Sequence, residues 1–391
     1  MKAISRTVWI LSMISLLTDM ASEMLYPIMP IYLKSIGFSI VLIGVLEGIA
    51  EATAGLSKGY FGKQSDLSGK RVPFVQIGYT LSALSKPLMA ASVFPLWIFF
   101  VRTLDRIGKG IRTGARDAIL SDEAGRKDKG KIFGFHRSMD TLGAAIGPAA
   151  ALVYLYYRPG DYKTLFLIAF IPGLLAISAS LLLKEKNQAE IKTLKRNSFF
   201  SFLNYWKESP AMYRKLSAGL LIFTLFNSSD VFLLLHARQA GLNDSSVIGV
   251  YIFYNLVYAL FAFPAGILAD KLGLKTVFIA GLILFSIVYL IMPFTANFYI
   301  FFLLFFIYGI YAAATEGVSK AWISNITDQK DTATAIGTYT GLQSIFTLLA
   351  SSITGLIWYQ FGPAAAFIST ATGTLILVVY FLKLPFSKND L

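Results

Sequence analysis

Long apolar runs recur along the whole chain, and most of them are close to the length that crosses a bilayer. A hydrocarbon core about 30 Å thick needs roughly 20 apolar residues of helix, whereas a transmembrane β-barrel would show short strands of alternating polarity. We therefore predict an all-α integral membrane protein with twelve transmembrane helices. The predicted spans are 7–34, 40–62, 72–93, 95–118, 131–157, 162–183, 212–236, 245–269, 275–295, 297–323, 332–358 and 362–382.

Composition and charge support this fold class and set its orientation. Of 391 residues, 55% are hydrophobic and 15% are charged, whereas soluble chains carry about 25% charged residues. The net charge of +13 comes from basic residues that fall mainly in the predicted cytoplasmic loops, since the outer loops hold only Lys34, Arg158, Lys163 and Arg238. The positive-inside rule then places both termini in the cytoplasm. We expect a multi-pass protein of the cytoplasmic (inner) membrane that contacts the lipid bilayer and binds no nucleic acid.

The residue content also narrows the chemistry. The chain has no cysteine and two distant histidines, His136 and His236, so it offers no thiolate site and a poor metal centre. It lacks the Walker A sequence of ATP-hydrolysing proteins. We expect no metal, no cofactor and no enzymatic activity. The alternatives from other classes are an integral membrane enzyme, which would need a nucleophile or metal set at one depth, and a channel, which would need a continuous pore.

Two sequence motifs are repeated at nearly the same spacing. "GKQSDLSGKR" begins at Gly62 and "GILADKLGLK" at Gly266, 204 positions later. "AILSDEAGRKDKGKIFG" begins at Ala118 and "AWISNITDQKDTATAIG" at Ala321, 203 positions later. Some transporters are built from two parallel repeats with this organisation. We predict an N-terminal six-helix bundle, a cytoplasmic linker and a C-terminal six-helix bundle at 1–185, 186–211 and 212–391.

These motifs resemble those of the major facilitator superfamily over nearly the whole chain. "GKQSDLSGKR" is similar to the family's loop between spans two and three: Gly62 and Asp66 match, a leucine stands where a basic residue is usual, and Arg71 follows. "MLYPIMPIYL" resembles the x-P-x-x-P pattern of twelve-span drug/proton antiporters, and Arg102 stands where the family has a fourth-span arginine. "GAAIGP" (143–148) resembles the antiporter motif of span five, without the glycines that usually follow its proline.

The resemblance implies a monomeric transporter in which two halves rock around a central cavity, where a small-molecule substrate binds between spans one, four, seven and ten. It also implies gating residues: Gly62, Asp66, Arg71, Asp270, Gly143, Gly147 and Pro148. Asp66 is predicted to cap the start of the next helix in sequence and to pair with basic residues at a neighbouring helix end, which would form a latch of the outward-facing state; a static surface turn is the alternative. The two span-five glycines allow close helix approach and the proline permits a bend, and ordinary tight packing explains them equally well.

A basic stripe runs through the predicted fourth span, "FFVRTLDRIGKGIRTGARDAIL". Its members recur three to four residues apart and so share one helix face: Arg102, Arg106, Lys109, Arg112 and Arg116. An unpaired charge at the bilayer centre costs about 2.5–3.5 kcal/mol, so such charges pair or face water. Asp19 and Glu23 lie at comparable depth in span one, one helical turn apart, and could face this stripe.

We predict that these charges couple protons to transport. A carboxylate beside an arginine can exchange a proton for a bound ligand, because protonation breaks the pair and frees the arginine. The predicted proton-coupling residues are Asp19, Glu23 and Glu51. Arg102 and Arg106 are predicted to bind the substrate, since arginine suits bidentate binding of carboxylates and phosphates. The alternative is a static ion-pair network that fastens spans one to four together.

The second half is poorer in charge and offers aromatic and amide groups instead. Phe305 and Gly309 stand at the positions that match Arg102 and Arg106. Three residues of this half are predicted to bind the substrate, of which the last two share one helix face: Asn227, Tyr251 and Asn255.

The sequence thus predicts a secondary active transporter of a small organic solute, driven by the proton gradient, with export by antiport favoured over import. A basic cavity favours an anionic or zwitterionic substrate, although its carboxylates would also allow a cation. The alternative within the class is a proton-coupled importer or a uniporter of an anionic metabolite.

Overall fold

The computed structural model describes residues 4–26, 28–185 and 198–384. Within these ranges the chain forms α-helices and three short 3-10 helices, without a β-strand. The α-helices are Arg6–Glu23 (α1), Met29–Ser35 (α2), Ile40–Ser68 (α3), Val72–Ala91 (α4), Pro95–Glu123 (α5), Lys129–Tyr157 (α6), Tyr162–Ser180 (α7), Tyr205–Glu208 (α8), Ala211–Phe226 (α9), Val231–Gln239 (α10), Asp244–Leu272 (α11), Leu274–Ile291 (α12), Phe298–Asn325 (α13) and Thr332–Lys383 (α14). Pro27 of the x-P-x-x-P pattern and linker residues 186–197 lie outside the described ranges.

Seven helical segments of the described chain are long and apolar enough to cross a membrane: Lys129–Tyr157, Tyr162–Ser180, Ala211–Gln239, Ser246–Leu272, Leu274–Phe294, Phe298–Asn325 and Gln329–Lys383. All of them follow residue 128, because the helices before it are richer in polar and charged residues, as the basic stripe of α5 illustrates. The prediction of an all-α membrane protein is confirmed. The number of twelve spans stays a prediction.

Helices of the two sequence halves begin at the spacing of the sequence repeat. α3 and α11 start 204 positions apart, and α5 and α13 start 203 positions apart. The first predicted span of each half is interrupted: α1 gives way to α2, and α9 to α10. The predicted spans 7–34 and 212–236 therefore each contain a helix break that the sequence analysis did not predict. Asn, Ser and Asp at residues 227–230, and the prolines at residues 27 and 30, favour turns or helix ends over helix interiors.

The last helix has a break as well. Gly362 has φ +84° and ψ 171° inside α14, and Pro363 follows it. This backbone conformation favours glycine, and proline restricts helix continuation. The break falls where the sequence predicts the boundary between its last two spans, 332–358 and 362–382.

The chain folds as two compact units whose boundaries do not coincide with those of the two sequence halves. The first unit comprises Met1–Glu123, Met139–Glu208 and Asp328–Ser344. The second comprises Ala124–Ser138, Ser209–Thr327 and Ile345–Leu391. Each unit thus includes a short segment from the other half, with the start of α14 in the first and the start of α6 in the second. The division into bundles at 1–185 and 212–391 stays a prediction from the sequence repeat.

Glycines of α6 allow it to lie directly against α1 in the first unit. A Cβ atom at Gly143 would lie 2.3 Å from the carbonyl oxygen of Leu16, and one at Gly147 would lie 2.5 Å from that of Met20. Both distances are too short for any side chain, and both obstacles are backbone. Small residues at this spacing let membrane helices approach closely. This contact explains the two glycines of the "GAAIGP" motif, whose proline, Pro148, lies inside α6.

We expect Gly143→Ala to lower the unfolding temperature (Tm) sharply, because α1 and α6 must separate to admit the methyl group. The matched control is Gly249→Ala in α11, where a Cβ atom would meet nothing within 4 Å. Replacing a helix glycine by alanine at an open site is expected to raise the free energy of unfolding by up to about 1 kcal/mol. Thermal unfolding of both purified variants tests the difference, and equal Tm values would contradict the close approach of α1 and α6.

Candidate functional site

A cavity in the first unit is lined by charged and polar residues of α1, α4 and α5 and the turn after α1. Its carboxylates are Asp19, Glu23 and Asp105, its cations are Arg102, Arg106, Lys109 and Arg112, and its neutral polar residues are Ser22, Tyr26 and Ser82. The four residues that the sequence suggested would face one another, Asp19, Glu23, Arg102 and Arg106, all line this cavity. The helical spacing of the basic stripe places its cations on one face, as the pattern predicts.

One wall of the cavity contains a buried ion pair. Nζ of Lys86 lies 2.8 Å from Oδ1 of Asp105 and 3.2 Å from Oγ of Ser22. Nη1 of Arg102 lies 3.8 Å from Oδ2 of Asp105. No role was predicted for Asp105 from the sequence, although a carboxylate within a basic stripe is itself a signal. This carboxylate holds Lys86 and Arg102 together at the cavity wall.

Glu51 of α3 also belongs to this charge network. Its Oε1 lies 3.1 Å from Nη1 of Arg106, and its side chain is 53% exposed. The structure therefore joins a predicted proton-coupling residue to a predicted substrate-binding residue.

Asp19 faces other carboxylates as well as a cation. The groups that act on it include Asp140 of α6, Lys109 and Glu23. Asp140 in turn accepts a hydrogen bond from the Ser15 hydroxyl. The sequence analysis did not identify Asp140 as a partner of Asp19. The side chains of Asp19 and Asp140 therefore interact although they come from different helices.

The predicted substrate-binding residues of the second half lie in the second unit and not among the residues that line this cavity. Nδ2 of Asn255 donates to the carbonyl oxygen of Tyr251 at 3.0 Å. Asn227 ends α9, and its side-chain oxygen is buried without a hydrogen-bond partner in the described chain. Their role in substrate binding stays a prediction.

The repeated loop motif places an aspartate at a helix N-terminus in both units. In the first unit, Asp66 Oδ2 accepts from the Thr334 backbone N–H at 2.6 Å and from its hydroxyl at 2.8 Å, at the start of α14. In the second unit, Asp270 accepts from the backbone N–H groups of Gly130 and Lys131 at 2.7 and 2.6 Å, at the start of α6. The unpaired N–H groups and the dipole of a helix start favour a carboxylate there.

Gly62 makes the first of these contacts possible. A Cβ atom at this position would lie 2.5 Å from the carbonyl oxygen of Ala333. At Gly266, the matching position of the repeat, a Cβ atom would lie 2.2 Å from the carbonyl oxygen of Gly130. The glycine of the motif thus lets the helix that carries the motif's aspartate touch its partner helix directly.

Arg71 fixes Asp66 from the other side. Its Nη2 lies 3.2 Å from Asp66 Oδ1 and donates to the carbonyl oxygen of Gln329 at 3.0 Å. Its Nη1 pairs with Asp122 at the end of α5. The guanidinium group therefore ties the end of α3 to the end of α5 and to the turn before α14.

The helix that follows Asp66 in sequence has a different cap. The start of α4 is capped by Glu185, which accepts from the Arg71 and Val72 backbone N–H groups. Asp66 therefore caps α14 and not α4.

Asp66 lies beyond the predicted end of span two at residue 62. Burial raises the pKa of this carboxyl group to about 7, while Arg71 and the Thr334 hydrogen bonds act in the opposite direction. The group therefore changes its charge close to neutral pH.

Comparisons with known proteins agree with this architecture. A profile of the Major Facilitator Superfamily matches residues 11–254 and 236–390. The MFS-type transporter MJ1317 of Methanocaldococcus jannaschii is 34% identical over 391 residues, which cover 97% of this chain and 96% of that protein.

Solved structures with the same fold are transporters. The human organic anion transporter MFSD10 (TETRAN) superposes with a TM-score of 0.83 at 15% identity, covering 97% of this chain and 100% of that chain. The fucose:proton symporter FucP of Escherichia coli superposes with a TM-score of 0.77 at 12% identity, covering 99% of this chain and 100% of that chain. The chain belongs to the major facilitator superfamily, and its relatives and structural neighbours are membrane transporters rather than enzymes.

Proposed function

We propose that the protein is a secondary active transporter that moves a small organic anion through the membrane, coupled to protons. In this proposal twelve spans cross the membrane with both termini in the cytoplasm, and two halves alternate access to the substrate. The protein acts as a monomer, and the proton gradient is its energy source. The observation that carries the proposal is the charged cavity of the first unit, which combines clustered arginines with carboxylates.

The cations of the cavity support an anionic substrate. Four basic side chains line it against three carboxylates, and one of those carboxylates, Asp105, already pairs with Lys86. The guanidinium groups of Arg102 and Arg106 can exchange their present carboxylate partners for a carboxylate or phosphate of the substrate, which they would bind through paired hydrogen bonds. The likeness in fold to an organic anion transporter agrees with this substrate class.

The carboxylates of the cavity support proton coupling. Asp19 faces Asp140 and Glu23, and Glu51 pairs with Arg106. An anion that binds the arginines competes with these carboxylates, and a carboxylate released from its arginine gains proton affinity. Anion and proton are then expected to bind together, which favours movement of both in one direction.

Export by antiport is the second candidate. The "GAAIGP" segment that resembles the antiporter motif packs against α1 through Gly143 and Gly147, next to the helix that bears Asp19. In that case substrate and proton would occupy the cavity in turn and not together.

The sign of the proton change on substrate binding tests both candidates. Purified protein in a weakly buffered detergent solution near neutral pH receives citrate, xylose or tetraphenylphosphonium while a pH dye is recorded. Proton uptake with citrate, abolished in Asp19→Asn or Glu23→Gln, supports joint binding. Proton release supports exchange. Citrate binding without any proton change in the wild type would contradict proton coupling for this anion.

The contact between Asp66 and the start of α14 is proposed to be a latch. It joins the end of α3 to a helix that begins more than 260 residues later in the sequence, through Asp66, Arg71 and Thr334. A latch must break when the cytoplasmic side opens, and it favours the outward-facing state while it is made.

We expect Asp66→Ala to open this contact. Because the protein has no cysteine, Thr338→Cys introduces one thiol at a fully buried position, where the native hydroxyl donates to the carbonyl oxygen of Phe202 in the linker. Loss of hydrogen bonds to a charged group costs about 1.5–3 kcal/mol each, so maleimide labelling of the introduced thiol is expected to accelerate about tenfold or more. An unchanged labelling rate would show that the contact does not control access.

The same reporter is expected to show a pH dependence. A carboxyl group whose pKa is raised in the closed contact binds a proton there and releases it on opening, so closure weakens as pH rises through about 7. Between pH ~6 and ~8 the opening equilibrium should increase about tenfold. Labelling rates normalised to those of glutathione at each pH test this. The Asp66→Ala variant should lose the pH dependence.

A further inference from the structure

The second unit contains a helix break that the function proposed above does not use. α9 ends and α10 begins inside Ala211–Gln239, a segment apolar enough to span a membrane. Irregular backbone in a membrane persists where it is buried in protein or lines a polar site. The four residues of the break, 227–230, are Asn, Ser, Ser and Asp. They supply an amide, two hydroxyl groups and a carboxylate at one point.

Asp230 has no cationic partner within the described chain. It is a half-buried carboxylate that forms no ion pair there with a Lys or Arg. The Tyr308 hydroxyl donates to its Oδ1 at 2.6 Å. Glu316, the other carboxylate that acts on Asp230, has a cation of its own, since its Oε2 lies 3.6 Å from Nη2 of Arg137. A lone carboxylate in a membrane interior is costly, so Asp230 requires a positive ion that the described chain does not supply.

Further oxygen atoms lie at the break. Asn227 Oδ1 is buried without a hydrogen bond in the described chain, and the hydroxyl groups of Ser228 and Tyr289 interact with each other. The Tyr289 side chain lies next to Ser228, Tyr308 and Asp230. Buried polar groups are normally satisfied. Carboxylate, amide and hydroxyl oxygens are the ligands that hard cations take, and broken membrane helices are where transporters bind coupling ions.

The groups that face Asp230 from the neighbouring helices are acidic or aromatic. Tyr308 is in contact with the rings of Tyr254 and Tyr311, at centroid distances of 5.1 and 5.2 Å. From α14, Ser351 contributes a neutral hydroxyl that accepts from the Ser229 N–H at 3.2 Å. The titratable groups around Asp230 are Tyr254 of α11, Tyr289 of α12, and Tyr308, Tyr311 and Glu316 of α13. This surrounding is negative or neutral throughout, which suits a cation.

We propose that the break between α9 and α10 binds a small monovalent cation, a proton or a sodium ion, with Asp230 as its charged ligand and Tyr308 as a positioning residue. The site lies entirely in the second unit. It is separate from the cavity that contains Asp19, and it does not depend on which organic solute is transported.

The test needs no organic solute. Full-length wild type and Asp230→Asn in detergent are titrated with NaCl or choline chloride at fixed pH, and separately over pH about 5.5 to about 8.5 without sodium. Tm and released protons are recorded. Asp161→Asn is the control, because Asp161 is a loop carboxylate at the start of α7 that accepts hydrogen bonds from Tyr154 and Thr164.

The salt titration and the pH titration together identify the ion. Sodium binding predicts a rise in Tm with NaCl and not with choline chloride, and release of up to one proton per molecule, both lost in Asp230→Asn. Proton binding predicts no sodium response and a pH dependence of Tm that Asp230→Asn loses and Asp161→Asn keeps. Equal salt and pH responses in wild type and Asp230→Asn overturn the proposal.

Tyr308→Phe provides a second test if Asp230→Asn does not fold. Loss of the donated hydrogen bond disfavours the ionised carboxylate, so the pH dependence is expected to move upward by about one pH unit. A titration identical to that of the wild type, together with an unchanged sodium response, would overturn the proposal as well.

Discussion

Replacing Lys86 with methionine is expected to destabilise the protein by about 3–5 kcal/mol, the cost of removing one partner of a buried ion pair. Lys86 Nζ and Asp105 Oδ1 are 2.8 Å apart, and both residues are buried. Methionine retains much of the apolar length of lysine, so the loss of charge and not a cavity sets the result. Arg102, 3.8 Å from the other oxygen of Asp105, compensates in part and favours the lower end of this range.

Thermal unfolding in detergent measures the effect. Lys34→Met is the control, since Lys34 is exposed at the end of α2, and its Tm should stay close to that of the wild type. The double variant Lys86→Met, Asp105→Asn removes the uncompensated charge and should recover most of the lost stability. A Lys86→Met protein as stable as Lys34→Met would contradict the buried pair.

Arg102→Ala is expected to weaken anion binding about 100-fold, because truncating one partner of a buried charged hydrogen bond costs about 2–5 kcal/mol and 1.4 kcal/mol corresponds to a factor of ten. Arg102 lines the cavity and is 7% exposed. Arg102→Lys keeps the charge but loses the planar pair of donors, so an intermediate loss is expected.

Titration calorimetry with the anion that gives a proton signal measures these affinities. Arg158→Ala, in the exposed turn before α7, is the matched control and should bind as the wild type does. If Arg102→Ala and Arg158→Ala bind equally well, Arg102 belongs to the ion-pair network alone, which is the static alternative that the sequence left open.

The sequence predicts which face of a helix carries charge but not which groups pair. Helical periodicity predicts that Arg102 and Arg106 share one side of α5, and the similar depth of Asp19 in its own span predicts that it lies near them. The structure brings these residues to one cavity. The pairing of Asp105 with Lys86 depends on how α4 and α5 are rotated and crossed, which periodicity leaves free. Likewise, no local pattern links Asp66 to Thr334, because that contact forms only when distant helix ends meet.

The helix breaks were missed for a different reason. The length of an apolar run reports that a segment can cross a membrane, and it does not report whether the helix is continuous. Asn, Ser and Asp at residues 227–230 are a turn signal in a soluble chain, and weighing that signal inside an apolar run would have located the break. The buried side-chain oxygen of Asn227, which has no hydrogen bond in the described chain, is visible only in three dimensions.

The central claim is that the cavity containing Asp19 and Arg102 couples an organic anion to protons. The most direct measurement is uptake of radiolabelled citrate, or of the anion that gives the proton signal, into proteoliposomes with an imposed pH gradient. Vesicles without protein and vesicles with a protonophore are the controls. We predict accumulation in vesicles with an alkaline interior, abolished by the protonophore and in Asp19→Asn; accumulation in an acidic interior would support exchange instead. Anion uptake that is the same with a pH gradient of either sign as without one would contradict the claim.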